Sequence, residues 1–104
     1  MAQFDVFNNP ITAARAAYPF VLALQSDFTV NARDQIVAPM VRRNAISPAA
    51  GRLTPLVTMG GDDLVALIPA LTSLRSKDLG KPIGSLQHAR AEILAAIDFL
   101  FFGV

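Results

Sequence analysis

The sequence contains no cysteine, no tryptophan, one histidine and one tyrosine. The absence of cysteine excludes disulfides, thiol nucleophiles and thiolate metal sites, and a single histidine cannot make a histidine-rich one. Redox chemistry therefore leaves the compartment open. Charge is scarce as well: 16% of the 104 residues are Asp, Glu, Lys or Arg, against a usual share of about 25%. Nine basic and eight acidic residues leave a net charge of +1, and the basic ones are spread from Arg15 to Arg90 with only Arg42 and Arg43 adjacent. Nonspecific nucleic-acid binding needs a stripe of cations to release counterions, so none is expected. Long apolar runs are also missing. The longest uncharged stretches, 16–26 and 64–74, have 11 residues each and contain Pro19 and Pro69, too short to span a bilayer. No basic residue precedes Arg15, the wrong start for a signal peptide. The expectation is a soluble cytoplasmic protein with no membrane partner.

What is abundant is apolar: 53% of the chain, which excludes intrinsic disorder. One domain, 1–104, fits the length and can bury about two thirds of its unfolded surface. So few charges leave an apolar patch on the folded monomer, which predicts an oligomer. Short apolar runs separated by Pro, Gly, Asn and Asp predict strands at 3–7, 18–25, 36–41, 56–59 and 64–74. Gly60-Gly61-Asp62-Asp63 reads as a hairpin turn, and Pro39 and Pro69 predict strands at edges or bulges. A loop rich in Pro, Ala and Gly spans 42–55.

Near residue 85 the period changes. Ser85 is the expected N-cap, and Leu86, Ala89, Ile93, Ala96, Ile97 and Leu100 recur at helical spacing up to Gly103, the natural stop. At about 100° per residue these six and Val104 share one face, while His88, Ala91, Ala95, Asp98 and Phe102 lie opposite. Phe99 lies towards that outer face too, with Phe101 on its flank. None of the eight aromatics lies between Thr29 and Asp98. Either the two ends of the chain meet in one core, or the C-terminal aromatics serve a partner.

Chemical constellations are few. Asp62-Asp63 is explained more simply by a solvated hairpin tip than by a paired-carboxylate site, and His88 by a solvated helix face than by a general base. Ser26-Asp27 and Ser73 lack a neighbouring base that would activate a hydroxyl. Arg42-Arg43 reads as a loop charge pair rather than a phosphate clamp, and no glycine-rich phosphate loop exists. No catalytic residue, metal site or cofactor is expected. Phe102-Gly103-Val104 stands out as an exposed aromatic followed by a flexible glycine. Packing over a sheet edge, burial in a dimer seam and service to a partner all fit its spacing.

Several segments, in order and over nearly the full length, resemble the CcdB family of plasmid and chromosomal toxins. Gln3-Phe4-Asp5-Val6 resembles the family's opening strand, and Tyr18 through Gln25-Ser26-Asp27 its second strand and following turn. Val37-Ala38-Pro39-Met40 resembles a strand with a fixed proline, and Leu53-Thr54-Pro55 and the Gly60 turn follow. The most specific match is Leu79-Gly80, Leu86, Arg90, Glu92-Ile93, Ala96-Ile97-Asp98 and Gly103-Val104.

The resemblance implies a mainly β protein with one C-terminal α-helix, an SH3-like β-barrel of the CcdB/MazF toxin type, assembled as a homodimer. It implies a non-enzymatic toxin that binds the DNA gyrase A subunit and traps the cleaved complex, a two-fold toxin on a two-fold target. It further implies neutralisation by a CcdA-like antitoxin, and contact with operator DNA only through the antitoxin complex, in plasmid maintenance and transcription regulation. The gyrase contacts it implies are Phe28 and Thr29 from the turn, and Asp98, Phe101, Phe102, Gly103 and Val104 from the helix end. Two positions depart from the family. Phe102 stands where well-known members carry a tryptophan that stacks on a gyrase arginine, and phenylalanine offers a smaller face. Gln35 stands where the family favours arginine. The alternatives are a MazF- or Kid-like ribonuclease on the same barrel, for which Arg33, Asp34, Arg42, Arg43 and His88 are the polar candidates, and a non-toxic antitoxin-binding corepressor.

Overall fold

The computed structural model describes residues 2–26, 32–43 and 51–104. Among these described residues the strands are β1 (Asp5–Asn8), β2 (Phe20–Ala23), β3 (Asp34–Arg42), β4 (Leu56–Met59), β5 (Asp62–Ala66), β6 (Thr72–Arg75) and β7 (Gly84–Ser85), followed by helix α1 (Arg90–Phe102). All pairings are antiparallel. Six strands run β4-β5-β3-β2-β1-β7, and β6 joins β3 off this path. The result is a nearly closed, mostly β, barrel-like sheet with one C-terminal helix, of the SH3-like type.

β3 is the spine. One edge pairs with β2 from Val37 to Met40; the other pairs with β6 from Asp34 to Val37 and with β5 from Met40 to Arg42. Pro39 therefore lies inside the sheet rather than at its edge, a correction with a local cause. Leu24 N–H donates to Ile36 O at 2.9 Å, so the alternation of an antiparallel ladder turns the Pro39 nitrogen away from β2. On that other side β5 has ended and β6 has not begun. Pro39 O accepts from Leu67 N–H at 2.9 Å, the one bond a proline can make there.

The expected strand at 64–74 is in fact two. Ile68–Ala70 is a 3-10 turn with Pro69 in its first positions, where the missing N–H costs nothing. The hairpin expectation holds: Met59 pairs with Asp62, and Gly60 and Gly61 between them have φ of +59° and +87°. Two positive φ values make a type I′ turn, whose twist matches the strands. A Cβ at Gly61 would meet nothing within 4 Å, so Gly61→Val tests backbone strain alone. It should lower stability by about 1–2 kcal/mol, read from the urea midpoint at unchanged m-value.

Apolar residues fall on both faces of the sheet. The larger core joins Phe4, Val6, Leu22, Met40, Leu64 and Ile68 to Leu86, Ile93 and Ala96. A smaller one joins Phe7, Val21, Ala23 and Val37 to Leu79. β2 is thus buried on both sides, which is why it reads as an unbroken apolar run. Phe4 holds φ +68°, uncommon for a bulky residue. Its N–H donates to Ala23 O at 2.9 Å and its carbonyl accepts from Leu86 N–H at 2.8 Å, and the ring is fully buried, so three contacts fix the conformation.

Candidate functional site

The helix starts later than the Ser85 reading has it. Ser85 Oγ accepts the Gln87 N–H at 3.3 Å, but Gln87–Ala89 is a 3-10 turn whose N-cap is Leu86, and α1 follows with Ala89 as its N-cap. The expected stop is observed. Gly103 takes the left-handed conformation at φ 72° and its N–H closes on Phe99 O, at 3.0 Å, as glycine does at a helix end.

Apart from Phe99, burial along α1 follows the wheel through Leu100. Ile93 and Ala96 are buried, Leu94, Ile97 and Leu100 pack partly against the core, and Ala91, Ala95 and Asp98 are exposed. Phe101 and Phe102 are 60% and 74% exposed, and Val104 76%. Val104 therefore leaves the buried face on which the wheel places it, because the left-handed Gly103 redirects the chain. Asp98 and Phe102, four residues apart, are neighbours on one helix face. The last turn thus holds two large rings in water with a carboxylate beside them.

A groove of about 330 Å³ lined by Leu24, Gln25, Ile36, Leu71, Ile97 and Phe101 runs from the end of β2 to this helix end. It brings Phe101 beside the segment that leads into the turn after β2. Phe28 and Thr29, the site residues expected from that turn, lie outside the described residues.

Sequence reasoning missed Arg52. Its guanidinium lies over the Phe99 ring at 3.8 Å from the centroid, on a second groove of about 400 Å³ lined with Pro55, Leu56, Glu92 and Ala95. Phe99, read as an outward residue, is half-buried. The signal was local only in part: Gly51 through Thr54 is turn-forming chemistry, but nothing near Arg52 points to residue 99.

The remaining polar candidates are held apart. Arg42 pairs with Asp62 at 3.9 Å, Arg43 with Asp63 at 3.7 Å and Arg75 with Asp34 at 3.5 Å, all exposed, a class of pair worth little to stability. His88 Nε2 donates to Thr58 O at 2.9 Å. Gln35, the departure from arginine, is buried in β3. Among the described residues no group of three His, Asp or Glu could hold a metal ion, and no helix is long and apolar enough to cross a membrane.

The sequence matches the family model for CcdB protein over residues 3–103. The chain belongs to the CcdB family. No individual curated protein matches it. CcdB proteins are the toxins of toxin–antitoxin modules, gyrase poisons rather than classical enzymes, and their partners in general are an antitoxin and gyrase. The barrel with its C-terminal helix is the CcdB type.

Proposed function

We propose that this CcdB protein is a homodimeric cytoplasmic toxin that binds the gyrase A subunit and blocks resealing of the cleaved DNA. The observation that carries the reading is the helix end, with Phe101, Phe102 and Val104 held in water by a well-formed left-handed cap. Each ring left exposed forgoes burial of a surface of about 150–250 Å², and exposed aromatics grouped in this way mark interaction sites. The proposed docking surface is Asp98, Phe101, Phe102, Gly103 and Val104, to which the family resemblance adds Phe28 and Thr29, outside the described residues. Neutralisation by a CcdA-like antitoxin, and operator binding only within that complex, follow from the same reading. A ribonuclease needs an acid and a base converging on a basic groove. Asp34, Arg42, Arg43 and His88 instead make separate local contacts, which favours binding over catalysis.

The test is incubation with gyrase, ATP and supercoiled plasmid, followed by detergent and protease. Linear DNA should accumulate in proportion to toxin, and sedimentation at micromolar concentration should give twice the 11.1 kDa chain mass. RNA cleavage without trapped DNA would transfer the reading to the ribonuclease alternative. Neither activity, with antitoxin binding retained, would leave the corepressor.

A further inference from the structure

We propose that Arg52 is a positioning residue for the docking end, clamping the last turn of α1 through the face of Phe99; the docking role of that end rests on the gyrase reading above. Arg52 is presented by a tight turn. Thr54 N–H donates to Gly51 O, and Gly51 N–H to Thr54 Oγ1, both at 3.1 Å, so residues 51–54 form a closed clasp with Arg52 inside it. Pro55, which follows the clasp, is buried, and its carbonyl accepts from Ala66 N–H at 3.1 Å. The backbone that carries Arg52 is therefore anchored to the barrel wall.

Its target is the residue on which the helix end depends. Phe99 O is the acceptor that closes the Gly103 cap, and Phe102 is one turn further along the same helix. Arg52 itself lines a groove with Glu92 and Ala95, N-terminal to Phe99 on α1, so what it holds is the Phe99 ring and not the terminal carbonyls. At 3.8 Å the planar group gains the attraction of a cation over an aromatic face, which a lysine on a flexible stem reproduces less well.

The absence of tryptophan supplies a clean probe, since Phe102→Trp puts a single indole at the helix end. In that background Arg52→Ala should lower the steady-state anisotropy of the indole with far-ultraviolet circular dichroism unchanged. It should also weaken binding to the gyrase A dimerisation fragment about three- to tenfold. Phe99→Leu, which keeps apolar volume and removes the ring, should act alike, and the double variant should be no worse than either single one. Arg52→Lys should fall between. Unchanged anisotropy in Arg52→Ala, or fully additive effects of the two substitutions, would overturn the clamp even if gyrase binds. Loosening of the indole in a protein that binds no gyrase would uphold the clamp and remove the gyrase reading instead.

Discussion

Phe102→Ala is expected to abolish trapping of gyrase cleavage complexes while leaving the protein folded. The ring is 74% exposed, so truncation removes little from the core, and substitutions at such places usually change stability by no more than about 0.5 kcal/mol. An aromatic anchor at the centre of a partner surface is different: losing it commonly costs about 2 kcal/mol or more of binding, roughly thirtyfold in affinity. Function and fold should thus separate in one variant. The measurements are the trapped-DNA assay and a thermal melt on the same preparation. Phe102→Leu refines the result, because it keeps apolar area and discards the ring. A leucine variant as potent as the parent would show that the end binds by burial alone. Unfolding of Phe102→Ala would show that the ring supports the core, and would displace the proposed docking surface.

Ile93→Ala should produce the opposite pattern, a loss of stability of about 2–5 kcal/mol from the cavity left in a close-packed core. Ile93 is fully buried where α1 meets the barrel, among Phe4, Leu86 and Ala96. Ile97, on the same stripe, is only partly buried and borders the open groove beside Phe101. Water and neighbouring side chains can refill that position, so Ile97→Ala should cost clearly less. Denaturant titration of both variants at one protein concentration checks the order. Equal losses would mean that the groove is covered in solution. Fixed concentration matters because the stability of the proposed dimer would rise with it.

The two substitutions probe what the sequence made legible at different ranges. The Gly60-Gly61 hairpin was readable because its cause is local, two residues that must hold positive φ. The exposure of Phe102 was readable because a helix has a fixed angle per residue and Gly103 marks its end. Beyond that glycine the angle no longer applies, so Val104 was misplaced. Ser85 reads as the helix cap because an adjoining 3-10 turn has the same composition as a first helical turn. The 64–74 run hid a break because an apolar stretch looks alike as one strand or two, and Pro69 signals a defect without saying which. Pro39 likewise looked marginal, since only the arrangement of β5 and β6 shows that its missing donor falls in a gap. The Arg52–Phe99 stack was out of reach altogether: its partners belong to a turn and a helix that only the closed barrel brings together.

Closure of that barrel also has a timetable. β1 is sealed by β7 through Asp5 with Ser85 and Val6 with Gly84, and Gln87 Nε2 donates to Gln3 O at 2.7 Å across 84 positions. A ribosome adding roughly 5–20 residues per second needs on the order of 4–17 s to supply the second half of this seam after the first. The aromatic end of α1 emerges only fifteen residues after Gln87, roughly 1–3 s later at the same rate. The strand that completes the barrel wall and the rings proposed to harm gyrase are therefore made almost together, after the first six strands. A nascent chain that stops before β7 lacks both, so the proposed docking surface arises only on a chain that already carries the strand that seals β1.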